Sequence, residues 1–113
     1  MEFSIKNGNP EKQRTDCVIV GVFEGQKLSE AAKSLDVASN KAISAILKNG
    51  DMEGKLSATL VLHNLAEVAA TRVLLVGLGK LAEFTEKQYR QAVRAAIKAL
   101  PKGVASASIF LPE

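Results

Sequence analysis

Cysteine, histidine and tryptophan are almost missing from this chain, which has one Cys, one His and no Trp in 113 residues. The single thiol, Cys17, excludes an internal disulfide and fits a reducing compartment. One histidine, His63, with one distant cysteine leaves a metal site without ligands of the usual kind. No apolar run approaches the roughly 18 residues of a membrane span. The opening Met1-Glu-Phe-Ser-Ile-Lys-Asn-Gly-Asn-Pro10 has no apolar signal core and carries an acid at position 2. The expected location is the cytoplasm, with no membrane partner. Aromatic residues make up only 4% of the chain, so no aromatics interleave with its cations as a base-stacking surface requires.

With 47% hydrophobic and 24% charged residues, the composition is that of an ordinary globular protein. Its length predicts one domain over 1–113, large enough to bury about two-thirds of its unfolded surface. The organising stretch is Arg72-Val-Leu-Leu-Val-Gly-Leu-Gly-Lys80. Val73 to Val76 is a short, unbroken apolar run, which predicts a strand covered on both faces. Gly77 and Gly79 predict a sharp turn after it. Thr85-Glu-Lys-Gln88 is a capping box that opens the next helix.

The other segments arrange around this unit. Glu2 to Lys6 alternates like a half-buried strand, and Asn7 to Pro10 reads as a turn. Asp16 to Phe23 is a more buried strand, in which Gly21 predicts a bulge or a close backbone approach. Leu28, Ala31, Ala32 and Leu35 form one helical stripe, and Ala42, Ile43, Ile46 and Leu47 a second that stops at Asn49-Gly50. Together they predict one kinked helix or two short ones, packed on the sheet and followed by a turn over Asp51 to Lys55. Ser57 to His63 is a third strand. Only eight residues link it to the organising strand, too few for a crossover helix, so the two should pair antiparallel. The last helix is predicted over Thr85 to Leu100, with Tyr89, Ala92, Val93, Ala96, Ile97 and Leu100 inward and Pro101-Lys-Gly103 as its stop. Ala105 to Leu111 is a final strand, parallel to the organising one through a right-handed crossover. The predicted fold is a three-layer α/β domain with a mixed sheet of about five strands. Because Leu111-Pro-Glu113 follows a buried-looking strand directly, the expectation is a segment of a longer polypeptide.

Most chemical motifs weaken on inspection. Gly77-Leu-Gly-Lys-Leu-Ala82 fits the G-x-G-x-x-A dinucleotide fingerprint, but the helix cap at Thr85 comes too late to bring its N–H groups to a pyrophosphate. No acid lies between Glu86 and Glu113 to hold a ribose. A P-loop fails because Leu81 follows Lys80 and Leu74 stands where the leading glycine belongs. Cys17 lies beside Asp16, which opposes thiolate formation. Asp51 and Glu53 share a turn without a pocket. No catalytic, cofactor-binding or metal residue is assigned in this segment.

The cations are unevenly placed. Residues 1–86 carry 10 basic and 11 acidic side chains, whereas 87–112 carry Lys87, Arg90, Arg94, Lys98 and Lys102 and no acid. Lys87, Arg90, Arg94 and Lys98 fall on one helical face opposite the apolar stripe. This face is the candidate for contact with an acidic partner or with nucleic-acid phosphates, without base reading.

The order of segments resembles the N-terminal domain of the leucyl (cytosol) aminopeptidases, especially the bacterial aminopeptidase A type. The resemblance rests on Met1 to Lys6, Cys17-Val-Ile-Val-Gly-Val-Phe23, Glu53-Gly-Lys55, Thr59-Leu-Val-Leu-His-Asn64, Val73 to Lys80 and Glu86-Lys-Gln-Tyr89. It implies a macro-domain-like fold and a non-catalytic module of a cytoplasmic, hexameric metallo-exopeptidase that prefers N-terminal leucine. In that family two zinc or manganese ions and the catalytic groups lie in a separate C-terminal domain, around an Asn-Thr-Asp-Ala-Glu-Gly-Arg signature. That signature is absent from these 113 residues, so no catalytic residue carries over. The implied partners are the catalytic domain of the same chain, other subunits of a homo-hexamer and, for the aminopeptidase A type, DNA. A second implied reading is an ADP-ribose-like ligand, as macro folds can bind.

Overall fold

The computed structural model describes residues 2–5, 9–50 and 52–111, the first four through their backbone. In chain order the elements are β1 (Glu2–Ile5), β2 (Cys17–Phe23), β3 (Lys27–Leu28), α1 (Glu30–Ala38), α2 (Ala42–Lys48), β4 (Thr59–His63), β5 (Arg72–Gly79), α3 (Glu86–Ala99) and β6 (Ser106–Phe110). Among the described residues no helix is long and apolar enough to cross a membrane.

The main path of the sheet runs β1-β6-β2-β5-β4, with the two-residue β3 added antiparallel to the end of β2. β1, β6, β2 and β5 pair in parallel, and β4 pairs antiparallel to β5, as the short link between them requires. β6 runs in the same direction as β5, but β2 lies between them. The most apolar strand therefore takes the centre, where both its neighbours are also buried.

β2 is buried at all seven positions, and β5 at every position after Arg72. Side chains alternate between two cores. Val18, Val20, Val22, Val73 and Leu75 pack with Ala32 and Leu35 of α1 and Ile43 and Leu47 of α2. Cys17, Ile19, Leu74, Val76 and Leu78 pack with Ala92 and Ala96 of α3. The helices thus form layers on opposite faces of the sheet. Each fully buried aliphatic side chain contributes roughly 1.5–3 kcal/mol.

The helical region after β2 is two helices. Asn40 and Lys41 both have positive φ, which breaks the first helix and redirects the chain. α1 is capped by Ser29, whose hydroxyl accepts from Ala32 N–H. α2 has no cap from its own preceding residue, Lys41. Asp36, buried near the end of α1, supplies one instead by accepting from the Ser44 N–H at 2.8 Å and from the Ser44 hydroxyl. The gap between the two apolar stripes, from Asp36 to Asn40, thus holds the joint between the helices.

α3 begins at Thr85 with the expected capping box, in which Thr85 N–H donates to Gln88 Oε1 at 3.1 Å. Of its predicted inward face, Ala92 and Ala96 are buried and Tyr89, Val93 and Leu100 are half-buried, but Ile97 is 38% exposed. The small alanines let α3 approach the sheet closely, and the wider flank stays outside. Lys6, Asn7, Gly8, Asp51, Pro112 and Glu113, on which the early turn, the Asp51 pairing and the end of the chain depend, lie outside the described residues.

Candidate functional site

In an open α/β sheet, ligands bind beyond the carboxyl ends of neighbouring parallel strands whose following segments depart to opposite faces. Here that place lies between β2, which continues toward α1, and β5, which continues toward α3. The G-x-G-x-x-A stretch sits there, but it does not form the predicted turn. β5 runs on through Gly79, and the chain turns afterwards, in a short 3-10 segment at Leu81–Glu83.

The glycines serve packing. The segment 53–58 crosses the carboxyl end of β5 and pairs with it. Gly77 N–H donates to the Ala58 carbonyl at 2.7 Å, Ser57 N–H to the Gly77 carbonyl at 3.0 Å, and Gly79 N–H to the Gly54 carbonyl at 2.9 Å. A Cβ at Gly77 would fall inside contact distance of the Lys55 carbonyl, and one at Gly54 would do the same to the Phe23 carbonyl. Gly79 also has a φ of 77°, which disfavours any other residue. The two N–H groups a phosphate cradle would use are therefore already engaged.

One hollow at this end, among the described residues, has a volume of about 310 Å³ and is lined by Glu24, Gly25, Gln26, Glu53 and Lys55. Its one lysine lies 3.9 Å from Glu53, and its two carboxylates repel phosphate. Gly21, suspected of a close approach, leaves room for the Leu78 side chain, next to a register shift at Val22/Phe23.

The basic face of α3 is the second location. Lys87, Arg90, Arg94 and Lys98 are all exposed. Lys87, Arg90 and Arg94, with Glu86 and Gln91, line a shallow hollow of about 390 Å³, whereas Lys98 is not part of that lining. Glu86, just before the acid-free stretch, pairs with Arg90 across one helical turn. Both partners are largely exposed, so the pair contributes at most about 1 kcal/mol, but it offsets part of the local charge.

The remaining candidates separate. Cys17 is buried, and burial pushes its thiol up to about 11, outweighing a backbone hydrogen bond from Leu74 and the nearby Arg72 charge. It is not a thiolate nucleophile. His63 is exposed at the end of β4. Among the described residues, no three His, Cys, Asp or Glu side chains gather as a metal site. Asp16 has a structural role that sequence reasoning missed. Its Oδ2 accepts from Ala105 N–H at 2.7 Å and Ser106 N–H at 3.2 Å, fixing the start of β6. Those partners lie 89 and 90 residues away, and no local pattern signals them.

The sequence profile of the cytosol aminopeptidase family, N-terminal domain, matches residues 19–113. A probable cytosol aminopeptidase of Nitrosospira multiformis is 57% identical over the whole chain, which covers 22% of that protein. Another, from Chromobacterium violaceum, is 56% identical over 96% of the chain and 21% of its own length. The chain thus spans about a fifth of these relatives. Among solved structures, a tomato leucine aminopeptidase variant superposes with a TM-score of 0.72 at 22% identity, covering 98% of this chain and 23% of that one. The macrodomain of Mycobacterium tuberculosis DarG gives 0.69 at 11% identity, covering 95% and 74%. At such identities these two likenesses establish the fold alone: a macro-like domain.

Proposed function

This chain belongs to the cytosol aminopeptidase family, as its N-terminal domain, and on that premise we propose that it is the non-catalytic module of a cytoplasmic metallo-exopeptidase. The parent releases N-terminal residues, leucine among them, from peptides. It uses two zinc or manganese ions held by a catalytic domain that follows this one. The module supports assembly of a homo-hexamer and access to its active sites. The carrying observation is the whole-chain identity to proteins of which this segment makes up only about a fifth. The described residues do not fit a metal ion, so no chemical step is assigned to them. The engaged glycine N–H groups at the end of β5 argue against the ADP-ribose-like ligand.

The purified segment is expected not to hydrolyse leucine p-nitroanilide, with or without added manganese or zinc, while the full-length parent does so and loses the activity to a chelator. Metal-dependent turnover that copurifies with the segment would overturn the reading.

The hollow that brings Lys87, Arg90 and Arg94 together favours a second role, contact with DNA phosphates. Lys98 extends that face one turn further. Such contacts carry no sequence information and release counterions. Changing Arg90, Arg94 and Lys98 to Glu in the full-length protein should weaken binding to any duplex and make its salt dependence shallower. Peptidase activity should survive. Unchanged affinity with an unchanged salt slope would reduce the stripe to a solvated face.

A further inference from the structure

β4 forms one margin of the sheet. Among the described residues its only strand partner is β5. The ladder between them is unbroken over Thr59↔Val76, Leu60↔Leu75, Val61↔Leu74, Leu62↔Val73 and His63↔Arg72. Gly77 N–H donates to the Ala58 carbonyl, and Asn64 N–H to the Thr71 carbonyl. Ladder bonds in an antiparallel pair involve alternate residues, so Ala58, Leu60, Leu62 and Asn64 face β5. The N–H and C=O groups of Thr59, Val61 and His63 then point away from the sheet.

Exposed edges are normally blunted by lysine or another inward-pointing charge, by proline, or by a bulge. Thr59-Leu-Val-Leu-His63 has no proline and no formally charged side chain, and its register has no bulge from Thr59 to His63; the doubled Ser57 and Ala58 opposite Gly77 lie before it. Its outward groups also repeat symmetrically about Val61. When two copies meet antiparallel, Val61 opposes its own counterpart and Thr59 opposes His63, with no like charges opposed.

We propose that this edge is an interface between two copies of the chain, in which β4 pairs with β4 of the partner about a two-fold axis at Val61 to make one continuous sheet. The symmetry decides the occupant: a two-fold contact requires a self-complementary patch, and this strand is one. A pairing of five residues is small against the roughly 1,000 Å² of a stable interface. It therefore acts as one contact within a larger assembly, and in the isolated chain it should be weak and concentration-dependent. The proposal specifies a contact for the assembly role put forward above and rests on that reading.

Charge pairs placed across the axis provide the test. Thr59 and His63 are both exposed, so changing them spares the core. Thr59→Lys with His63→Lys places like charges opposite each other at both ends of the proposed pairing. Thr59→Lys with His63→Glu places opposite charges there. Sedimentation velocity from micromolar to millimolar chain should show wild-type dimer growing with concentration, at least tenfold weaker association for the first variant, and recovery in the second. Circular dichroism should be the same for all three. Association that ignores both variants would overturn the β4 contact while leaving the assembly role standing. A wild-type chain that is monomeric throughout, with no association even in the Lys/Glu variant, would also overturn it.

Discussion

Leu75→Ala is expected to destabilise the fold by about 2–5 kcal/mol, read as a lower midpoint in denaturant unfolding with an unchanged slope. Leu75 lies in the middle of β5 and is fully buried, with Val20 of β2 on one side and Leu60 of β4 on the other as its register partners. α1 and α2 cover its face of the sheet. Truncation would remove apolar burial and leave a space that helices anchored by the Asp36 joint cannot readily close. A domain of this kind has only about 5–15 kcal/mol of stability, so the variant should be partly unfolded near its temperature limit. A loss below about 1 kcal/mol would mean that β5 is an exposed edge and not a strand covered on both faces.

The burial of Leu75 is legible in the sequence alone, because Val73 to Val76 is apolar at every position instead of alternating. A strand covered on both faces has no polar side, and Leu74 and Leu75 do enter opposite cores. The helix start at Thr85 is equally legible, since the capping box is a contact between residues three apart. The antiparallel β4–β5 pair follows from loop length alone.

What the sequence hides depends on residues far apart in the chain. Asp16 holds the start of β6 from 89 residues away, and nothing near either partner announces it. Asp36 falls in the gap between the two stripes, and its partner, Ser44, belongs to the next helix. β2 separates β5 from β6, a matter of sheet order that segment patterns do not encode. Spacing alone places all four cations of the basic stripe on the exposed side of α3. It does not show that Glu86 reaches forward to Arg90, because the acid-free stretch begins one residue after that glutamate.

The glycines of β5 show where a motif misleads. Two glycines after an apolar strand suggest a turn and a phosphate-binding fingerprint, yet the reason for Gly77 is the carbonyl of Lys55 crossing above it. Gly77→Ala is therefore expected to cost about 3 kcal/mol or more, because the added methyl must displace backbone instead of a flexible side chain. The displacement should also have a location. The segment 53–58 should lift away, so hydrogen exchange at the Ser57, Gly77 and Gly79 amides should quicken beyond the general loss of stability. Gly25→Ala is the matched control. Gly25 has a φ of 82° and no atom within 4 Å of an added Cβ, so only backbone strain of roughly 1–2 kcal/mol should appear there, with no change in those three amides. If the two substitutions cost the same, the 53–58 segment is not seated on β5. The crevice between β2 and β5 would then be open after all, and a phosphate-bearing ligand would again have free N–H groups to meet.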